Sequence, residues 1–481
     1  MFIRSRHFRS WLWSAVTGVA LCLAGLWLAD GWCGEEPATK APPAASPAPA
    51  GPTLTEAAKV KLQQRLQLRA ADDRIAAIKE LATYRDDLEA IKLIVQVGLR
   101  DRSETVVTAA TNALLASRDS YPVGSFLIDR LKQEFNNKKR THSEFMQRLM
   151  VVCCRFRTPE MYRQFMKLTE ESEPARAQLN VEAVMHEVDQ ASGEQDPQLI
   201  PLLEVLADGK TFGTAYGFRR CVIDAAMRLR TTAAISFLVK QVKALDGELR
   251  FLIVQHLRNA SGQQLASDPE TWERWWKENQ ATFKFFDTVT PIGKVREQGT
   301  PYYYDLPVRA KRLVFVLDTS KSMEAVDPYT MISRLEAAKR ELVATVDQLP
   351  ESTLFNVVIF NSAVGAWQDR LSPATPRSKA LAKSFVQTQR ANGKTATYDA
   401  LQAAFNSDSN VEAIYLLSDG APSAGTVIPP QMILEAIFKQ NRVRRVTINT
   451  IGVYGGGDAD GLEPFMRSMA ETNFGQYRRA N

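Results

Sequence analysis

The sequence predicts two folded parts in series, an α-helical repeat region over residues 54–287 and a doubly wound α/β domain over residues 310–481. Three observations predict them. In the last third of the chain, short aliphatic runs alternate with amphipathic stretches, the pattern of a parallel sheet covered by helices. Two of those runs end at an aspartate, Leu313–Leu317 before Asp318 and Ala413–Leu417 before Ser418 and Asp419. The middle of the chain is instead a succession of alanine- and leucine-rich helical stretches with polar breaks.

The α/β part is read from its strands. Leu313–Leu317, Leu354–Phe360, Ala413–Leu417 and Val446–Val453 are aliphatic runs without alternation, which suits strands buried on both faces. A short strand is expected after Ser362, with Trp367 at the sheet edge. Between the runs, Arg334–Leu349 places Leu335, Ala338, Leu342, Val346 and Leu349 at helical spacing. Lys379–Gln389, Tyr398–Phe405, Pro430–Asn441 and Leu462–Thr472 read the same way. Open sheets of this kind bind ligands beyond the carboxyl ends of the strands, where strand order reverses.

At those ends lie residues of one chemical type. Asp318-Thr319-Ser320-Lys321-Ser322 follows the first run. Gly393-Lys394-Thr395 is a glycine turn leading into a helix, and Asp419-Gly420 follows a later strand. Two carboxylates and three hydroxyls are hard oxygen donors, suited to magnesium before zinc or copper. Each residue alone could be only a helix cap or turn residue.

Together, in this order, they resemble the metal-ion-dependent adhesion site of the von Willebrand factor A domain. Asp318, Ser320, Ser322, Thr395 and Asp419 occupy all five family positions, and the resemblance covers about residues 310–481. Lys321 departs from the glycine that many members carry, and its side chain can point to water. The resemblance implies that the first and fourth strands are neighbours, so that Asp318 and Asp419 flank one crevice. It also implies a bound divalent cation, magnesium first and calcium or manganese as alternatives. One open coordination position would be left for an Asp or Glu of a protein partner. Recognition rather than chemistry is therefore expected.

The residues argue against catalysis independently. His7, His142, His186 and His256 are the four histidines, and none falls in the α/β part. No base is apparent for a serine nucleophile. No phosphate-binding Gly-x-x-x-x-Gly-Lys-Ser/Thr loop occurs, and Gly455–Gly461 lacks the later glutamate of an EF-hand loop and reads as a turn.

Residues 1–34 carry Arg4, Arg6 and Arg9 before an uncharged apolar stretch from Trp11 to Leu28. This is a signal peptide or a single anchor, its stretch slightly short of the ~20 residues of an ideal span. The rest would then be exported to the periplasm or cell envelope, touching membrane only through this segment. Residues 35–53 are rich in Pro and Ala and read as an extended linker, with a second linker at 288–309.

Five cysteines are too few for a disulfide framework. Cys153, Cys154 and Cys221 read as buried thiols, with a bridge from Cys153 or Cys154 to Cys221 left open. The net charge of +6 is modest. Its densest basic runs, Lys138–Arg140 and Arg442–Arg445, lack interleaved aromatics, so no nucleic-acid partner is expected.

Helical stretches at Asp73–Leu81, Ser103–Leu115, Leu199–Leu206, Phe218–Leu229, Ala233–Leu245 and Glu248–Asn259 resemble HEAT or armadillo repeats. A non-repetitive bundle is the alternative, and the spacing is irregular over residues 136–194. Asp268-Pro269 opens a helix whose Trp272, Trp275 and Trp276 share a face, expected to close the array. Phe283, Phe285 and Phe286 are expected to seat the α/β part against it.

The combined expectation is an exported binding protein that captures an acidic partner residue through its cation. In this reading the helical repeats offer a second interaction surface. A metal-independent envelope scaffold is the alternative, and an envelope hydrolase fits poorly.

Overall fold

The computed structural model describes residues 52–136, 144–156, 159–171, 199–286, 299–453 and 461–480. The N-terminal apolar stretch, most of the Pro/Ala-rich segment, Lys138–Arg140, Gly455–Asp460, His7, His142 and His186 lie outside them. Among the described residues no helix is long and apolar enough to cross a membrane.

Helices build the first part. In chain order they are α1 (Glu56–Arg65), α2 (Ala71–Leu81), α3 (Leu88–Gln96), α4 (Glu104–Leu115), α5 (Tyr121–Asn136), α6 (Glu144–Cys153) and α7 (Pro159–Glu171). Then follow α8 (Leu199–Asp208), α9 (Lys210–Thr214), α10 (Tyr216–Arg228), α11 (Thr232–Ala244), α12 (Gly247–Ser261) and α13 (Pro269–Asn279). Side-chain caps start several of them. Asp87 accepts from the Glu89 amide at 2.8 Å, and Asp268 accepts from Thr271 at 2.9 Å with Pro269 at the first helical position. Contacts are local in sequence: α2 packs on α4, α5 on α7, α8 on α10, and α11 on both α12 and α13. Leu62, Ile94, Leu127, Leu203, Val222 and Leu238 belong to one continuous buried cluster. Cys153, Cys154 and Cys221 are buried within it.

The tryptophan helix closes this core. Trp272 is fully buried, with its indole N–H on the Ala266 carbonyl at 2.9 Å. The Trp276 indole donates to Ser236 Oγ at 2.8 Å. Phe283 meets Trp275 and Trp276 edge-on and packs with Phe285 against the helical cluster. These phenylalanines thus serve the helical core, and the docking contacts with the sheet are made elsewhere. An aromatic run next to a tryptophan stripe finds its nearest apolar partners there.

The second part is a three-layer α/β unit. A small hairpin, β1 (Tyr302–Tyr303) with β2 (Leu306–Pro307), precedes β3 (Arg312–Asp318). Then come α14 (Arg334–Gln348), β4 (Leu354–Phe360), β5 (Val364–Ala366), β6 (Ser372–Pro373), α15 (Pro376–Gln387) and α16 (Thr397–Asn406). The chain continues through β7 (Ala413–Ser418), α17 (Pro430–Arg444), β8 (Thr447–Val453), α18 (Leu462–Thr472) and β9 (Tyr477–Ala480). Strand order is β5-β4-β3-β7-β8-β9, with β6 also paired to β4. The strands from β4 to β9 along this path are parallel, while β5 and β6 run antiparallel to β4. Alternate residues of β3 serve opposite layers. Leu313, Phe315 and Leu317 pack toward α14 and α15, and Val314 and Val316 toward α16, α17 and α18. The edge strand β5 stops one residue short of Trp367, which stacks on Phe355 at 5.1 Å.

The helical part docks at the amino ends of the parallel strands. Arg220 of α10 donates to Thr447 Oγ1 at 2.6 Å, and Arg445 donates to Asp224 at 3.1 Å. Both guanidinium groups lie over the Phe474 ring. The Tyr216 amide donates to Asn410, whose own amide returns a bond to the Thr214 carbonyl. Arg309 covers Phe251 at 3.4 Å.

Candidate cation site

The opposite end of the sheet carries the five oxygen donors. β3 went to β4 on one side and, two strands later, the chain placed β7 on the other. The switch point therefore lies between β3 and β7. Leu317 pairs with Leu417, so Asp318 and Ser418 end their strands side by side, with Asp419 next in the chain.

Asp318 is completely buried. Its Oδ1 accepts the Ser320 amide at 2.7 Å, and its Oδ2 accepts the Ser418 hydroxyl. Burial pushes its carboxyl up to about 6; these hydrogen bonds oppose that rise and the Asp419 charge adds to it. The Ser322 hydroxyl donates to Asp419 Oδ1 at 2.7 Å and lies 3.1 Å from Ser320 Oγ. The short 3-10 turn Lys321–Glu324 holds Ser322 at this point, with Lys321 exposed and paired to Glu324.

Thr395 comes from the loop before α16. Its amide donates to Ser423 Oγ at 3.1 Å, and its carbonyl accepts the Ser423 and Ala424 amides. Gly393, at φ +72°, makes the turn; a Cβ there would sit 2.7 Å from Ser362 Oγ. Gly420 lies between the two halves of the site. A Cβ on it would stand 3.5 Å from Ser322 Oγ and 3.6 Å from Thr395 Oγ1. Asp318, Ser320, Ser322, Thr395 and Asp419 are therefore brought to one place. The donor set is all hard oxygen, and the residues fit a magnesium-type cation. When bound, such an ion supplies a Lewis-acidic position that a carboxylate can occupy.

Two contacts were not anticipated from sequence. Ser418 anchors Asp318, and the equal ends of the runs at Leu317 and Leu417 were the available signal. Arg334, the first residue of α14, donates from Nη1 to Asp419 Oδ2 at 3.0 Å. Its only sequence signal is a cation directly after the N-cap Ser333, where helix dipoles disfavour positive charge.

Comparison with known proteins bears on the α/β domain as a whole. A family profile described as von Willebrand factor type A domain matches residues 311–479. Bovine inter-alpha-trypsin inhibitor heavy chain H3 is 27% identical over 186 residues, covering 36% of this chain and 19% of that protein. Human von Willebrand factor A domain-containing protein 3A is 31% identical over 172 residues, 35% of this chain and 13% of the relative. The likeness thus spans a fifth or less of these relatives. Among solved structures, a von Willebrand factor type A protein from Catenulispora acidiphila is 20% identical, covering 36% of this chain and 40% of that one, with a TM-score of 0.30. The family profile, the strand order and the residues at the strand ends make residues 311–479 a von Willebrand factor type A domain.

Proposed function

We propose that this domain holds a divalent cation, magnesium first, through Asp318, Ser320, Ser322, Thr395 and Asp419. Through that metal-ion-dependent adhesion site it captures an Asp or Glu side chain of a partner protein. The observation that carries the reading is the convergence of these five oxygen donors at the switch point between β3 and β7. Two carboxylates match the charge of one divalent cation, and magnesium readily keeps positions for water or an exchangeable ligand. The helical array, residues 54–287, is a HEAT-like second interaction surface at the far end of the sheet. The α/β domain spans 310–481 and the protein acts outside the cytoplasm, behind its basic-flanked apolar N-terminal segment.

The test is partner capture from envelope extract with and without chelator, beside thermal unfolding with magnesium, calcium and manganese. An ion that binds only the native state stabilises it by about 2.7 kcal/mol at a hundred times its Kd. Capture should vanish with chelator and with Asp318→Ala or Asp419→Ala. Absence of a thermal shift with every ion would sink the cation reading. A second reading, a metal-independent scaffold, is favoured by the Arg334–Asp419 ion pair, which supplies positive charge without an ion. Capture that survives both chelator and substitution would select it.

A further inference from the structure

Arg334 breaks a local rule. It stands at the amino end of α14, where a cation opposes the helix dipole. Its side chain is only 15% exposed, and it faces an Asp419 side chain with no exposure at all. The backbone fixes it there. The Arg334 amide donates to the Ala325 carbonyl at 2.9 Å, and the Ala325 amide donates to the Ser322 carbonyl at 3.0 Å. The arginine is thus pinned to the same short segment that carries Ser322. Asp419 is divided between two partners, with Oδ1 taking the Ser322 hydroxyl and Oδ2 the guanidinium.

Counting charge shows what this does. Asp318, Asp419 and Arg334 together carry a single negative charge when both carboxylates are ionised. A divalent cation converts that to a single positive charge, and one incoming carboxylate neutralises it. Without the arginine, the loaded site would already be neutral, and the incoming carboxylate would leave it negative in a buried setting.

We infer that Arg334 is the charge-setting residue of this site: it weakens the hold on the ion and strengthens the loaded site's hold on a partner carboxylate. The inference rests on the cation reading above. Its signature is a pair of opposite shifts, which loss of local structure would not produce.

The experiment uses the full chain in mildly alkaline buffer. Manganese alone is titrated first, read by electron paramagnetic resonance of the free ion. Acetate is then titrated into the manganese-loaded protein, read by the loss of water-proton relaxation as it displaces bound water. For Arg334→Gln, manganese should bind on the order of tenfold tighter and acetate on the order of tenfold more weakly. Arg334→Lys should stay near the parent in both. If the glutamine variant does not fold, Arg334→Met, which keeps the packing of the stem, takes its place. Weaker manganese binding in the uncharged variant, or unchanged acetate affinity, would overturn the inference and leave the cation reading standing. A parent chain that binds no manganese would overturn both.

Discussion

Asp318→Asn should make the chelated protein more stable at neutral pH. The magnitude follows from the burial of the carboxyl, which is pushed up to about 6 from 3.8. Below 3.8 the carboxyl is protonated in both folded and unfolded chains, and stability does not depend on it. Between 3.8 and about 6 the unfolded chain releases the proton first, so stability falls as pH rises. Above about 6 the loss is complete, a little over two pH units at about 1.4 kcal/mol each, or about 3 kcal/mol. Asparagine removes the charge and keeps the local bonds. Its oxygen can still accept from the Ser320 amide, and Ser418 can accept from its NH₂ while donating to the Gly420 carbonyl. For a domain of this size about 3 kcal/mol corresponds to about 6–12 °C in Tm. The assay is thermal unfolding of parent and variant in chelator at acid and neutral pH. The variant should match the parent in acid and melt higher at neutral pH, while magnesium should raise the parent alone. A variant that melts at or below the parent at neutral pH in chelator would refute the reasoning.

Further outcomes are expected elsewhere. Burial pushes Glu412 up to about 7, with Asp246 adding to the rise and the Lys311 amide, Arg219 and Arg312 opposing it. Parental stability should therefore fall as pH rises from about 4.5 to about 7, and Glu412→Gln should remove up to about 3 kcal/mol of that fall, measured by urea midpoints. Gly475→Ala would set a Cβ 1.9 Å from the Ile448 carbonyl oxygen. It should displace β9 at a loss of about 2–4 kcal/mol, seen as faster amide exchange in Thr450–Val453. Arg220→Ala should cost about 2 kcal/mol or more and split unfolding into two transitions, since it removes the bond to Thr447 and the cover over Phe474.

The strands were legible because β3, β4, β7 and β8 are buried on both faces, leaving continuous aliphatic runs. β9 was not, because Tyr477-Arg478-Arg479-Ala480 lies at an edge and is mostly only half-buried or exposed, which leaves no aliphatic run. The five oxygen donors could be read because their spacing is set by strand ends and turns, which are local. Arg334 could not be assigned to Asp419, because 85 residues separate them and only the fold selects that partner. The same holds for Arg220, which reads as one of four charged residues on its helix, with Arg219, Asp224 and Arg228, until Thr447 and Phe474 are brought to it.

The docking of the helical array at the amino ends of the strands gives the molecule a line of force. A pull applied at the Asp318 and Asp419 end, resisted by the array, runs along the strands. β3 is bonded to β7 over five residue pairs and to β4 over seven. Such ladders are loaded in shear, all bonds sharing the load, rather than unzipped from one end. The polar seam of Arg220, Asp224, Arg445 and Thr447 has no such ladder. Under tension it would part first, lengthening the molecule while the sheet that carries the oxygen donors stays whole.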